Sequence, residues 1–485
     1  MFVKSVIEGL EPKLVWEHFY EISQIPRESG NEKAVGQYII DVAKRNKLSY
    51  KEDASGNIIV SCPASPGMEK RPSVVIQGHT DMVCEKNNDT VHDFTRDPIK
   101  LIRDGDWIRA DGTTLGADNG IGVCCALALM DDPSLIHPPM EYLFTIDEET
   151  GLTGASDLKN DFVNSRILIN LDSEEEGTFY IGCAGGKHTV LRHQIDWQSP
   201  ASGSRAYKIK IGGLRGGHSG LSIHEGLGNS IKLLSRVLYG LREKSPFQLA
   251  EFAGGNKHNA IPREAYAIIF LSEEHQQKME SYIANMDANF KNELRFVDKD
   301  VFLSAAPVQG KTRVFSAAMQ DALINMVYAM PHGVMAMSHA VEGLVETSTN
   351  MAIVETKEDR LELLTSQRSS VASSIIDIAD KVKALGEIAG FEVEQGGGYP
   401  AWEPNPDSML LKNAKKVYQE MYGEAPEVKA IHAGLECGII GEKFPGMDMI
   451  SFGPTIQGAH SPDERVHIPA VKNCWEYLLA LLKAV

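Results

Sequence analysis

The chain is expected to form a mixed α/β protein of two domains, one inserted into the other. Three observations point there. Its 485 residues exceed what one ordinary hydrophobic core organises. Up to Asp172, apolar strand-like runs alternate with helical runs, and a polar residue follows each strand. Beyond Asp172 the texture changes, and the first texture returns after a glycine-rich stretch near residue 397. The expected segments are 1–186 and 397–485 for one α/β domain, with 187–396 inserted as an α+β domain.

Two amphipathic patterns, Pro12–Ser23 and Asn31–Arg45, repeat apolar residues at helical spacing. Tyr50–Ser61 reads as strand material with a turn at Gly56-Asn57. Arg71–Gly78 is a short apolar run of the kind buried on both faces of a parallel sheet, and it ends at His79-Thr80-Asp81. Gly116-Ala117-Asp118-Asn119-Gly120 opens the helical run Ile121–Met130. The strands Met140–Ile146 and Arg166–Leu171 run into Asp147-Glu148-Glu149 and Asp172, with a short helix near Gly154–Leu158 between them. In the insert, Tyr207–Ile211, Asn229–Leu241, Phe247–Ala253, Ala265–Leu271 and Glu274–Met286 follow a β-α-β-β-α order, which predicts a ferredoxin-like unit. Further strands (Met351–Glu355, Leu361–Ser366) and a helix (Val371–Gly386) enlarge it, and Gly396-Gly397-Gly398-Tyr399-Pro400 reads as a linker. The helix Ser408–Tyr422 and the strand Asp448–Phe452 restore the α/β texture.

A formal charge of −18 argues against nucleic acid or an anionic membrane as partner, since neither gains counterion release from an acidic surface. No window approaches the length of a membrane span, and the N-terminus lacks the charged-then-apolar order of a signal peptide. Seven scattered cysteines without a C-x-x-C pair predict a reduced, cytoplasmic setting.

The chemistry centres on Asp147-Glu148-Glu149. Three carboxylates at the end of an apolar strand repel one another and are costly to desolvate, so a positive partner is expected, and a metal pair fits best. Histidine nitrogen and carboxylate oxygen are the ligands for zinc-like ions, and a two-metal site needs a bridging carboxylate. His79, Asp118, Glu149 and Asp172, each after a strand or opening a helix, are the candidates, with His460 as a fifth. Asp81, two residues after His79, is placed to orient it. Each element alone also fits a blander role: a satisfied histidine, a solvated acidic face, a helix cap or an acidic loop. Their joint order and strand-end placement favour the metal reading.

H-T-D at 79–81, G-A-D-N-G at 116–120, D-E-E-T-G at 147–151, L-D at 171–172 and G-A-H-S-P-D-E at 458–464 resemble the M20 metallopeptidases across most of the chain. The long insert and the segments R-G-G-H-S-G, G-G-N-K-H-N-A-I-P and H-A-G-L-E resemble the aminoacyl-histidine (Xaa-His, carnosinase-like) dipeptidase branch of that family. The resemblance implies a two-domain di-zinc peptidase architecture, with the insert as lid and dimerisation domain. Two Zn²⁺ per subunit, replaceable by Co²⁺ or Mn²⁺, would be held by His79, Asp118 and Asp172 and by Asp118, Glu149 and His460, with Asp118 as bridge. Glu148 would be the general base, and His218 would stabilise the oxyanion. Asn259 resembles a residue that binds substrate backbone.

Arg368 is a candidate clamp for a free carboxylate, because a guanidinium binds one bidentately. Gly434 would permit close approach of the substrate to backbone, and Glu436 would meet its amino group. The implied activity is hydrolysis of unblocked dipeptides such as β-Ala-His by a homodimer. An aminoacylase, carboxypeptidase or tripeptidase on the same metals, or a catalytically silent metal-binding scaffold, are the competing readings. No H-E-x-x-H, G-x-S-x-G, P-loop or G-x-G-x-x-G motif offers other machinery.

Overall fold

In the computed structural model, which describes residues 4–485, the chain divides into two compact units. Residues 1–3, which begin the expected first segment, lie outside the described residues. One unit comprises the chain up to Gly182 with Pro404–Ala430 and Leu435–Val485. The other comprises Cys183–Glu403 with Ile431–Gly434.

The first unit is built on runs too apolar to face water on either side. Val74–His79 and Met140–Thr145 are buried at every residue. With Ile167–Asn170 and Asp448–Ser451 they form the parallel centre of an eight-stranded sheet. The strand order is 49–52, 58–62, 140–145, 74–79, 167–170, 448–451, 178–183 and 427–431. Parallel pairing brings the carboxyl ends of the central strands to one edge, where ligands of open α/β sheets collect. The helix Ala117–Asp131 starts near that edge and is apolar around its whole circumference, so it is buried among the residues of the core. A second, four-stranded sheet, absent from the sequence expectations, orders 456–457, 465–467, 107–110 and 101–104. Its antiparallel pair Ile456–Gln457 and Arg465–His467 closes the loop that carries His460.

The second unit contains a nine-stranded sheet. Four of its strands, Phe302–Pro307, Arg205–Gly212, Ala265–Leu271 and Gln248–Gly254, lie antiparallel in that spatial order. With the helices Ser230–Lys244 and Gln276–Glu293 they make the ferredoxin-like β-α-β-β-α-β unit. The sheet continues through Val345–Thr356, Arg360–Ser369, Gly185–Gln194 and Glu392–Tyr399.

The last of these strands corrects the linker expectation. Gly396 and Gly398 pair with His188 and Lys187 in an edge strand, with a register shift at Gly397 between them. Glycine serves there because Gly397 has φ +52° and Gly398 φ +152°.

Candidate metal centre

His79 is the last residue of its strand and is almost wholly buried. Its Nε2 lies 3.2 Å from Asp118 Oδ1 and 3.2 Å from Asp172 Oδ1, while its Nδ1 lies 3.3 Å from Asp81 Oδ1. The other oxygen of Asp118, Oδ2, is 3.2 Å from His460 Nε2, which is also 3.1 Å from Glu149 Oε2. Asp118 therefore belongs to two triads, His79–Asp118–Asp172 and Asp118–Glu149–His460, whose ligating atoms lie within 4.8 Å of one another. Glu148 stands beside His79 and Glu149 in a third such group.

Two buried supports hold these groups in place. The Asp81 carboxylate accepts the backbone N–H of Glu148 at 3.1 Å and of Glu149 at 3.2 Å, together with the Ser29 hydroxyl at 2.8 Å. One residue thus orients His79 and anchors the turn bearing both glutamates. Glu464 is the second support, and it accepts the N–H groups of Leu115, Gly116, Ala117 and Asp118 at 2.7–3.3 Å. These are consecutive backbone donors of the turn that leads into the helix Ala117–Asp131, and one carboxylate satisfies all four. Arg27 ties the neighbouring loops by donating to the carbonyls of Thr80, Asp81 and Gly116. Sequence reasoning assigned none of Ser29, Arg27 and Glu464. Glu464 closes the G-A-H-S-P-D-E segment, whereas Arg27 carries no local signal.

Among the described residues no lysine or arginine pairs with Asp118, Glu149 or Asp172, and Glu149 Oε1 is buried without a partner. Burial pushes the Asp172 carboxyl up to about 7 and Glu148 well above the usual carboxylate range. Hydrogen bonds to Asp118 and Glu149 hold His460 up at about 11. Largely shielded carboxylates without a fixed cation, facing imidazole nitrogens, form a donor set suited to divalent metal ions.

Glu436 lies deeper in the same unit and is fully buried. Its Oε2 accepts from Gln77 Nε2 at 2.6 Å and from Thr145 Oγ1 at 2.8 Å, and burial pushes its carboxyl up to about 7.

His218, Asn259, Arg368 and Gly434 belong to the second unit. His218 sits in the two-residue strand Gly217–His218, paired with Ala260–Ile261 directly after Asn259. Its Nδ1 accepts the N–H groups of Gly220 at 3.3 Å and Leu221 at 3.1 Å. Burial and the nearby Arg368 lower the His218 imidazole to about 4. Asn259 is half-buried and holds the turn by accepting the Ser219 N–H at its carbonyl, 2.8 Å away. Arg368 is 7% exposed and donates from Nη1 to the Tyr399 hydroxyl at 2.8 Å. The space over Gly434 is filled by the ring of Tyr399.

Residues 75–484 match the model of peptidase family M20/M25/M40. The chain belongs to this family. Among its relatives, the cytosol non-specific dipeptidase of Escherichia coli (strain K12) is 41% identical over 481 residues, covering 99% of each chain. The crystal structure of aminoacylhistidine dipeptidase from Vibrio alginolyticus superposes with a TM-score of 0.93 at 42% identity, covering 99% of this chain and 98% of that one. The aminopeptidase PepT from Bacillus cereus shares the fold of the M20 chain at a TM-score of 0.57 and 14% identity, over 98% of this chain and 99% of its own.

Proposed function

We propose that the protein is a metal-dependent dipeptidase that hydrolyses unblocked dipeptides, with preference for Xaa-His substrates such as β-Ala-His. The observation that carries this reading is the sharing of Asp118 between two His/carboxylate triads at the carboxyl edge of the parallel sheet. The names of the two relatives near 40% identity, a non-specific dipeptidase and an aminoacylhistidine dipeptidase, support the substrate class.

His79, Asp118 and Asp172 would hold one ion, and Asp118, Glu149 and His460 the other. Two divalent ions, Zn²⁺ with Co²⁺ or Mn²⁺ as substitutes, would supply Lewis acidity to the scissile carbonyl and lower the pKa of water. Glu148 takes the proton of the attacking water and returns one to the leaving amine. The Asp81 carboxylate, 3.3 Å from Nδ1 of His79, favours the tautomer that carries its proton on Nδ1 and leaves Nε2 free. His218 accepts two N–H groups at Nδ1, so its proton resides on Nε2 and can be donated to a developing oxyanion.

Arg368 binds the substrate carboxylate, Asn259 and Gly434 contact its backbone, and Glu436 acts at the amino end. Recognition of both charged ends limits the substrate to two residues. The second unit acts as lid and as dimerisation domain of a cytoplasmic homodimer, an assembly that sedimentation at micromolar concentration tests. The name of the Escherichia coli relative supports the location, and among the described residues no helix is long and apolar enough to cross a membrane.

The test is hydrolysis of β-Ala-His, Gly-His, Leu-Leu, a tripeptide and an N-acetyl amino acid by metal-free protein before and after Zn²⁺ addition. Metal-restored cleavage of the unblocked dipeptides alone is expected. Preference for the tripeptide or the blocked amino acid would move the assignment to another M20 activity. Metal binding without any hydrolysis would make the protein a silent binder.

A further inference from the structure

The surroundings of Arg368 in the second unit carry its assignment one step further. Arg368 lies in the strand Arg360–Ser369, its side chain is buried, and among the described residues its Nε–H has no partner. A buried guanidinium N–H without an acceptor is costly, so this edge of the fork calls for an anion. The opposite side of the group is committed, since Nη1 donates to the Tyr399 hydroxyl at 2.8 Å.

Tyr399 has little freedom to give up that bond. It ends the strand Glu392–Tyr399 and pairs with Gly186 of the adjacent strand. A Cβ on Gly186 would lie 2.7 Å from two carbons of the Tyr399 ring, and one on Gly434 would lie 2.5 Å from a third. The ring is therefore seated between two glycines that no larger residue could replace without moving it. Three sequence features with no evident link, Gly185-Gly186, Gly396-Gly397-Gly398-Tyr399 and His432-Ala433-Gly434, meet in this one arrangement.

We infer that Tyr399 is a positioning residue for substrate recognition: clamped between Gly186 and Gly434, it takes one Nη1 hydrogen of Arg368 and so presents the Nε edge of the guanidinium to the substrate carboxylate. A guanidinium held in its bound orientation loses less conformational freedom when the carboxylate arrives. The need for glycine at 434 then comes from the tyrosine ring. The inference rests on Arg368 binding that carboxylate.

The experiment compares kcat and KM of the Zn²⁺-loaded enzyme for β-Ala-His and for its C-terminal amide, in wild type, Tyr399→Phe and Arg368→Met. Tyr399→Phe keeps the ring and removes only the acceptor. The expected result is a preference for the acid over the amide that falls about ten-fold in Tyr399→Phe, through KM for the acid, and further in Arg368→Met. If Arg368→Met abolishes the preference while Tyr399→Phe retains it in full, the role of Tyr399 is overturned and that of Arg368 stands. If neither variant changes the preference, the assignment of Arg368 fails and the inference falls with it. An equal loss in kcat on both substrates in Tyr399→Phe marks a merely structural tyrosine and overturns the inference.

Discussion

Glu464→Gln tests whether the metal centre is organised from behind. The carboxylate is 2% exposed, and its two oxygens share four N–H donors: Leu115 and Gly116 on Oε2, Ala117 and Asp118 on Oε1. Glutamine has the same shape but one acceptor oxygen, so its NH₂ must face two of those donors. Each buried N–H left unmatched costs about 1–3 kcal/mol, which puts the local penalty at about 2–6 kcal/mol. That is enough to shift the segment that ends at Asp118, the carboxylate common to both triads. Loss of such a supporting partner typically lowers metal affinity about 10- to 100-fold. The assay is competition of metal-free protein with a chromophoric chelator for Zn²⁺, beside thermal melts of the metal-free protein. Weaker binding at both sites and a lower melting temperature are expected. Unchanged affinity at both sites would refute the argument that Glu464 sets the position of Asp118.

Glu148→Gln should retain both metals in the same competition assay while kcat falls about 10²- to 10⁴-fold, the range lost with a general base. Asp81→Asn should weaken metal binding about 10- to 100-fold, because it disturbs His79 and the Glu148–Glu149 turn together. His218→Ala should leave Zn²⁺ affinity unchanged and lower kcat about 10²- to 10³-fold, as removal of an oxyanion donor does; a change confined to KM would contradict that role. Gly453→Ala should destabilise the apo protein and weaken metal binding in a chelator titration, since its Cβ would fall 1.8 Å from the Ser173 carbonyl, next to Asp172.

Much of the α/β unit and the chemistry of its edge was legible in the residues alone. The apolar runs within Arg71–Gly78 and Met140–Ile146 pointed to buried strands, formed in the structure by Val74–His79 and Met140–Thr145, and polar residues at or just beyond the ends of such strands stand at a sheet edge. That determined the residue types available for metal: His79, Glu149 and Asp172 at strand ends and Asp118 at a helix start. The β-α-β-β-α order of the insert likewise carried its own topology.

What only the tertiary structure decided are relations between residues remote in sequence. Asp118 meets His460 across 342 positions because a small second sheet, made of short strands with weak patterns, closes the His460 loop. Arg27 and Glu464 act through backbone carbonyls and amides, which leave no trace in composition. Gly396–Gly398 read as a linker because glycine usually marks flexible turns, yet pairing to Gly185–Gln194 makes them edge strand. The use of Gly434 to seat Tyr399 is legible only once the two segments are side by side. Local sequence records burial and local conformation, whereas shared hydrogen bonds and steric fit belong to pairs of residues that folding brings together.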